Sequence, residues 1–227
     1  MPRIENGEQP AMRKHPVIYG LCLIFLLGLG SIIVLYGYSA LTGDINLFKS
    51  SEKVGVVSIL GVISSSREAV EQIDEFGKDN NIKAVVVRID SPGGGVAASQ
   101  EIYTALKRIR KNKIVVASLG SVAASGGYMI ACAAEKIVAN PGTVTGSISA
   151  IMHFANAEDL LKKIGIKPSV IKSGKYKDIG SPARGMSDEE KQILQALVDD
   201  IYLQFIDVVA LDRKIPLEEV KKLADGR

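Results

Sequence analysis

The sequence predicts an α/β domain built on a mainly parallel sheet with flanking helices, preceded by one transmembrane helix. Three observations predict it. From Pro16 to Gly43 no residue is charged, and Val17 to Leu41 is an unbroken apolar run. From Lys53 onward, short apolar runs alternate with amphipathic stretches, the order expected of βαβ units. Those short runs are almost continuously apolar, as in strands of a sheet covered on both faces.

Residues 1–16 read as a short N-terminal tail and residues 17–41 as a membrane anchor. At 1.5 Å per residue the anchor is roughly 38 Å long as a helix, more than the ~30 Å hydrocarbon core. A signal peptide has a shorter apolar region, although Gly37-Tyr38-Ser39 is a passable cleavage triplet. Residues 42–52, including DINLFKSSE, read as a polar tether, and residues 53–227 as the folded domain. Within it, VGVVSILGVI (54–63) predicts a strand and REAVEQIDEFGKD (67–79) a helix with Val70, Ile73 and Phe76 on one face. KAVVVRID (83–90) is a second strand, followed by the break SPGGG and a helix over 96–111. IVVASLG (114–120) is a third strand, and SGGYMIACAAE begins an apolar helix. KIVA (136–139) and SVIKS (169–173) are expected as short strands. A long helix follows from Asp188, with Ser187 and Glu190 forming a capping box.

Composition excludes several classes. With 28 Lys+Arg against 25 Asp+Glu in 227 residues, the charge is too balanced for a dedicated nucleic-acid binder. Cys22 and Cys132 are the only cysteines, too few for a disulfide framework. Cys22 falls in the apolar run and Cys132 on an apolar helix, where a small buried residue is expected rather than a reactive thiol. His15 and His153 are the only histidines, which excludes a multi-histidine metal site.

Two strand-end loops carry the chemistry. Ser91-Pro92-Gly93-Gly94-Gly95 leaves backbone N–H groups unobstructed, a receptor suited to an anion or an oxyanion. Gly93-x-Gly95-x-x-Ala98 also resembles a dinucleotide fingerprint, but the next strand offers no acidic residue to hold a ribose. A plain tight turn would not require three successive glycines. Ser121 to Tyr128 (SVAASGGY) surrounds Ser125 with small residues, and the N–H of Gly126 follows it. The G-x-S-x-G elbow is absent because position 123 is Ala, and a serine at such a place is commonly only a helix cap. Together the loops point to one site, since ligands of parallel sheets gather at the carboxyl ends of strands. A nucleophilic serine also needs a base. His153 is one candidate. The others are Lys172, Lys175 and Lys177 in KSGKYKD, provided the lysine pKa falls from about 10.4 by desolvation or nearby positive charge.

The ordered set IDSPGGG, SVAASGGYMIA, TGSISAI, IKSGKYKDIGSPAR and ADGR resembles the signal peptide peptidase A family. These are membrane-anchored Ser–Lys proteases with a Clp protease/crotonase-like fold, and the resemblance covers about Val54 to Arg227. It implies Ser125 as nucleophile, Lys177 as general base, and Ser147 as the residue that orients the lysine. It implies an oxyanion hole from the N–H groups of Gly94 and Gly126, with no metal and no cofactor. It further implies peptide substrates, namely remnant signal peptides, and a homo-oligomer, an octameric ring whose neighbouring subunits complete each site. Family members usually continue past the ADGR segment. A related protease that cleaves one membrane-protein partner, or a crotonase-like acyl-CoA enzyme, is the alternative reading.

Arg3, Arg13 and Lys14 precede the apolar run, so the N-terminus is expected in the cytoplasm and the domain outside the cell membrane. Protease added to spheroplasts should therefore digest the chain beyond about position 50, after the single span. Digestion restricted to the extreme N-terminus would reverse the orientation.

Overall fold

A computed structural model describes residues 15–42 and 52–227. Arg3, Arg13 and Lys14 in the tail, and Asp44 with the rest of the tether from 43 to 51, lie outside the described residues. The chain divides into two units, Met1–Ser51 and Glu52–Arg227. In the first, helix α1 (Pro16–Thr42) contains a stretch long and apolar enough to cross a membrane. Its large side chains from Val17 to Tyr38 are exposed on every side rather than along one stripe.

The second unit is built on a parallel sheet in the order β1-β2-β3-β4: β1 (Lys53–Leu60), β2 (Ile82–Ser91), β3 (Ile114–Ala124) and β4 (Lys136–Val138). Helices α2 (Arg67–Lys78) and α3 (Val96–Ile109) provide the crossovers between the first three strands, and α4 (Gly126–Cys132) leaves the end of β3. One face of the sheet is formed by Val57, Ile59, Val85, Val87, Ile89, Val115, Ala117 and Leu119. Against it pack Ile73 of α2, Ile102 and Leu106 of α3, and Ile130 of α4. Each such aliphatic side chain contributes about 1.5–3 kcal/mol by leaving water. Val70 and Phe76 flank Ile73 as the helical spacing requires.

The opposite face departs from the expectation of a sheet covered on both sides. Val54, Val56 and Leu60 are exposed, although they alternate with fully buried neighbours. On β1 one face is thus packed and the other exposed, whereas the outward residues of the central strands, Val86 and Val116 among them, are half-buried.

Past α4 the chain forms β5 (Val144–Gly146), α5 (Glu158–Lys163), α6 (Asp188–Arg213) and α7 (Leu217–Leu223). Helix α4 lies between two cores: its far side, Met129 and Cys132, meets Phe205, Ile206 and Val209 of α6 and Val220 of α7. The side chain of Asp212 on α6 is buried, and it accepts a hydrogen bond from Tyr103 Oη at 2.6 Å and ion-pairs with Lys107. These contacts fasten α6 to α3.

The strand expected over 169–173 is absent: SVIKS is irregular, and Ile171 is fully exposed. Local β-propensity there meets no neighbouring strand to pair with, and an unpaired strand is not stable. Strand β5, by contrast, forms from only three residues because β3 lies beside it.

The capping box forms in both directions. Glu190 N–H donates to Ser187 Oγ at 3.2 Å, and Ser187 N–H donates to Glu190 Oε2 at 2.9 Å. Ser187→Ala should lower stability by about 1 kcal/mol, a fall in melting temperature of roughly 2–4 °C for a domain this size. Thermal unfolding followed by circular dichroism measures it. An unchanged midpoint would show that the packed face of α6 alone sets its start.

Candidate active site

The glycine loop after β2 is fixed from below and from one side. Ser91 is fully buried, and its Oγ accepts the Gly93 N–H at 3.1 Å. Gly93 takes φ +97°, a conformation that side chains rarely adopt. Ile63 donates to Gly93 O at 2.9 Å and accepts from Gly95 N–H at 2.7 Å, an isolated parallel bridge. That bridge uses the groups on either side of Gly94 and leaves the Gly94 N–H out of it. A side chain at 94 is excluded, because a Cβ would stand 2.3 Å from Ile63 O.

Strand β3 does not end at Gly120, as its sequence suggests, but runs to Ala124. Ile89 pairs with Leu119 and Ser91 with Ala123, so Asp90 alone faces the three residues Gly120, Ser121 and Val122. Asp90 Oδ1 accepts the Val122 N–H at 3.0 Å. Beyond this bulge β3 pairs with β5 instead of β4, and Thr145 Oγ1 donates to Ala123 O at 2.7 Å.

Ser125 stands at the corner between β3 and α4 with φ 51° and ψ −121°. Those angles match the first corner of a type II′ turn, which glycine normally occupies. A capping serine has extended backbone and accepts a helix N–H, but Ser125 does neither. Its N–H donates to Gly146 O at 2.9 Å, and its hydroxyl caps nothing and has no hydrogen-bond partner among the described residues. Gly126, the first residue of α4, has an N–H with no intrahelical acceptor. The two loops touch backbone to backbone: a Cβ on Gly93 would lie 2.8 Å from Gly126 N and 2.9 Å from Ser125 Cβ. The structure thus brings Ser125, Gly126 and the loop holding Gly94 together.

Ser147 follows directly after β5. It also has positive φ, 51°, and its N–H donates to Arg227 O at 2.6 Å. Gly146 links the two serines, accepting from Ser125 through its carbonyl and preceding Ser147 in the chain.

The lysine segment is a series of exposed turns before α6. Lys172 pairs with Asp178 and donates to Lys175 O at 2.8 Å. Lys175 pairs with Glu189, whose hydrogen bond, aided by Tyr176, raises the lysine pKa and holds its proton in place. Among the described residues, the ammonium of Lys177 has no hydrogen-bond or ion-pair partner, and none joins it to Ser125 or Ser147. His153 is exposed. Cys132 is buried, and burial pushes its thiol up to about 12. Among the described residues no His/Cys/Asp/Glu cluster is placed to hold a metal.

A parallel sheet with loops converging at its carboxyl end, and an uncommitted serine at a strained strand–helix corner, define a Clp-protease-like scaffold. A point mutant of ClpP1 from Listeria monocytogenes has this fold, with a TM-score of 0.51 at 18% identity over 75% of this chain and 78% of that one. Residues 57–145 match the Clp protease family and residues 107–227 match peptidase family S49. The chain belongs to peptidase family S49, the signal peptide peptidase A family. It is 48% identical over 183 residues to slr0021 of Synechocystis sp., covering 79% of this chain and 66% of that one. It is 35% identical to Serine protease SPPA, chloroplastic, of Arabidopsis thaliana, over 76% of this chain and 26% of the relative. Protease 4 of Salmonella typhi is 39% identical over 68% of this chain and 25% of its own length. The chain therefore spans less than two thirds of each of these relatives.

The lysine segment is anchored by Arg184, which reaches Asp178 Oδ1 and Oδ2 at 2.9 and 3.0 Å and Glu190 Oε2 at 2.8 Å. The guanidinium holds Asp178 well below the ordinary carboxylate range and Glu190 down to about 2. Carboxyl groups depressed by folding stabilise the fold above their unfolded pKa, and that contribution is lost as pH falls. The stability margin of the wild type over Arg184→Met should be constant above about pH 5 and shrink below about pH 4.3. Urea unfolding at stepped pH measures it. A margin still undiminished near Glu190's value would show that this network is not linked to protonation.

Proposed function

We propose that this chain is a membrane-tethered serine endopeptidase with a Ser125–Lys177 dyad, degrading signal peptides left in the bilayer after release from secreted proteins. The observation that carries the reading is the backbone of Ser125: φ 51° at the end of β3, with a hydroxyl that caps nothing. A strained, uncommitted serine against a glycine-rich backbone is what a nucleophile needs and what a structural serine avoids.

In the mechanism, neutral Lys177 accepts the Ser125 hydroxyl proton as Oγ attacks the scissile carbonyl. The oxyanion of the tetrahedral intermediate accepts from the N–H groups of Gly94 and Gly126, each worth about 3–4 kcal/mol. Lys177 then gives its proton to the leaving amine. Water, deprotonated by Lys177, hydrolyses the acyl-enzyme and regenerates Ser125. Ser147 Oγ orients the lysine. Lys177 is favoured over Lys172 and Lys175 because those two are engaged with carboxylates. Lys177, exposed and unpaired among the described residues, is presented to Ser125 of a neighbour in a homo-oligomeric, octameric ring. Helix α1 anchors the ring to the cell membrane with the peptidase domain outside, next to substrates that are themselves apolar segments. The names of the Arabidopsis and Salmonella relatives agree with protease activity.

A fluorophosphonate probe should label the full-length protein at Ser125, and Ser125→Ala should abolish both labelling and peptide hydrolysis. Lys177→Arg should be nearly inactive because guanidinium stays protonated, whereas Lys175→Ala should keep most activity. Labelling that persists in Ser125→Ala would refute the nucleophile, and an inactive Lys175→Ala beside an active Lys177→Ala would refute the base.

A further inference from the structure

The bulge in β3, opposite Asp90, sets where Ser125 stands. Opposite Asp90, β3 carries two more residues than β2 needs. A surplus of two keeps the pleat in phase, so Leu119 before the bulge and Ala123 after it both face the core. Losing the surplus to the strand end would carry Ser125 forward by about 6–7 Å, and losing one residue would reverse the faces of everything after it. Something must hold the surplus in place.

Asp90 is what fills the bulge. Its Oδ1 accepts the Val122 N–H at 3.0 Å, three residues before Ser125. Its main-chain carbonyl accepts the Gly61 N–H at 2.9 Å, which fixes the residue from the β1 side. The space for the carboxyl exists because position 120 is glycine: a Cβ there would lie 2.6 Å from Asp90 Cγ and 2.7 Å from Oδ2. Thr143 Oγ1 donates to Gly120 O at 2.8 Å from the other side, so the bulge is held across both edges of β3. Downstream, pairing with β5 and the Ser125 N–H bond to Gly146 O transmit that register to the serine.

We propose that Asp90 is a positioning residue for Ser125: its carboxyl group, as hydrogen-bond acceptor in the space left by Gly120, fixes the β3 bulge that sets the serine at the glycine loop. This rests on Ser125 being the nucleophile. The role requires an acceptor of the right shape and not a charge, so asparagine should replace Asp90 and alanine should not. Gly120→Ala should act like Asp90→Ala, because its methyl group evicts the carboxyl without altering it.

The test uses the full-length protein in detergent and compares Asp90→Ala, Asp90→Asn and Gly120→Ala with the wild type and Ser125→Ala. The readouts are the fluorophosphonate labelling rate, kcat and KM on a fluorogenic peptide, and the melting temperature. A misplacement on the ångström scale costs about 100-fold, so Asp90→Ala and Gly120→Ala should lose about that much in kcat and labelling rate, with KM little changed. Asp90→Asn should stay within about threefold of the wild type, since it retains the acceptor. Wild-type labelling of Asp90→Ala, or an Asp90→Asn as slow as Asp90→Ala, overturns the proposal. Should Asp90→Ala not fold, Gly120→Ala and Asp90→Asn decide by the same criteria. Labelling that survives in Ser125→Ala instead overturns the nucleophile itself, a separate failure.

Discussion

Everything at the carboxyl end of the sheet depends on a contact between two stretches of main chain, Gly93 against Ser125 and Gly126. A methyl group on Gly93 would fall within 3.0 Å of three atoms of the other loop. That distance is available only if β2 and β3 are neighbours, end at matching heights, and turn into helices on the same face. The order β1-β2-β3-β4 provides the first condition, the bulge provides the second, and the packing of α3 and α4 on one face provides the third. Gly126 in turn leaves no room for a side chain, because Ser99 Oγ lies 2.3 Å from where its Cβ would be. Helix α3 thus presses on the site from behind, and Ser99 spends its own hydroxyl on Gly95 O at 3.0 Å.

The ionic contacts are arranged at a distance from the glycine loops and do a different job. Asp212 draws Tyr103 and Lys107 of α3 to α6, and Arg184 draws Asp178 and Glu190 together at the start of α6. Helix α6 is therefore fastened at one end to the helix behind the glycine loop and at the other to the lysine segment. Asp212 and Glu190 are buried carboxylates, so leaving either without its partner would be costly, and these pairs fix geometry. Lys172, Lys175 and Lys177 are consequently sorted by their neighbours, two committed to carboxylates and one with none among the described residues.

Helices α1, α2, α3 and α6 and the first three strands were legible because each is long enough for its period to show, whereas the short helices α5 and α7 were not. Val70, Ile73 and Phe76 mark a helix by spacing alone, and Ser187 with Glu190 marks a helix start by chemistry. The end of β3 was not legible. IVVASLG reads as a strand that stops at a glycine, whereas Gly120 is small to admit Asp90 from the adjacent strand, a contact between residues 30 positions apart. Strand β5 was missed and SVIKS was over-read for one reason: in strands this short, the partner decides rather than the composition. Ser125 was legible as a serine among small residues, but its φ of 51° was not, since nothing in AASGG distinguishes a strained corner from a cap. Ser147, also at φ 51°, left no signal beyond its resemblance to the family motif.

Those two serines carry a thermodynamic consequence. Non-glycine residues held in sparsely populated positive-φ regions cost of order 1–3 kcal/mol each, whereas the extra freedom of glycine in the unfolded chain costs only about 0.4–1 kcal/mol. Glycine at 125 or 147 would therefore make a sturdier protein than serine does. Against a net folding free energy of about 5–15 kcal/mol, retaining both serines gives up an appreciable share of the reserve. At this end of the sheet the chain trades robustness for two hydroxyl groups, and selection for heat resistance alone would erase them.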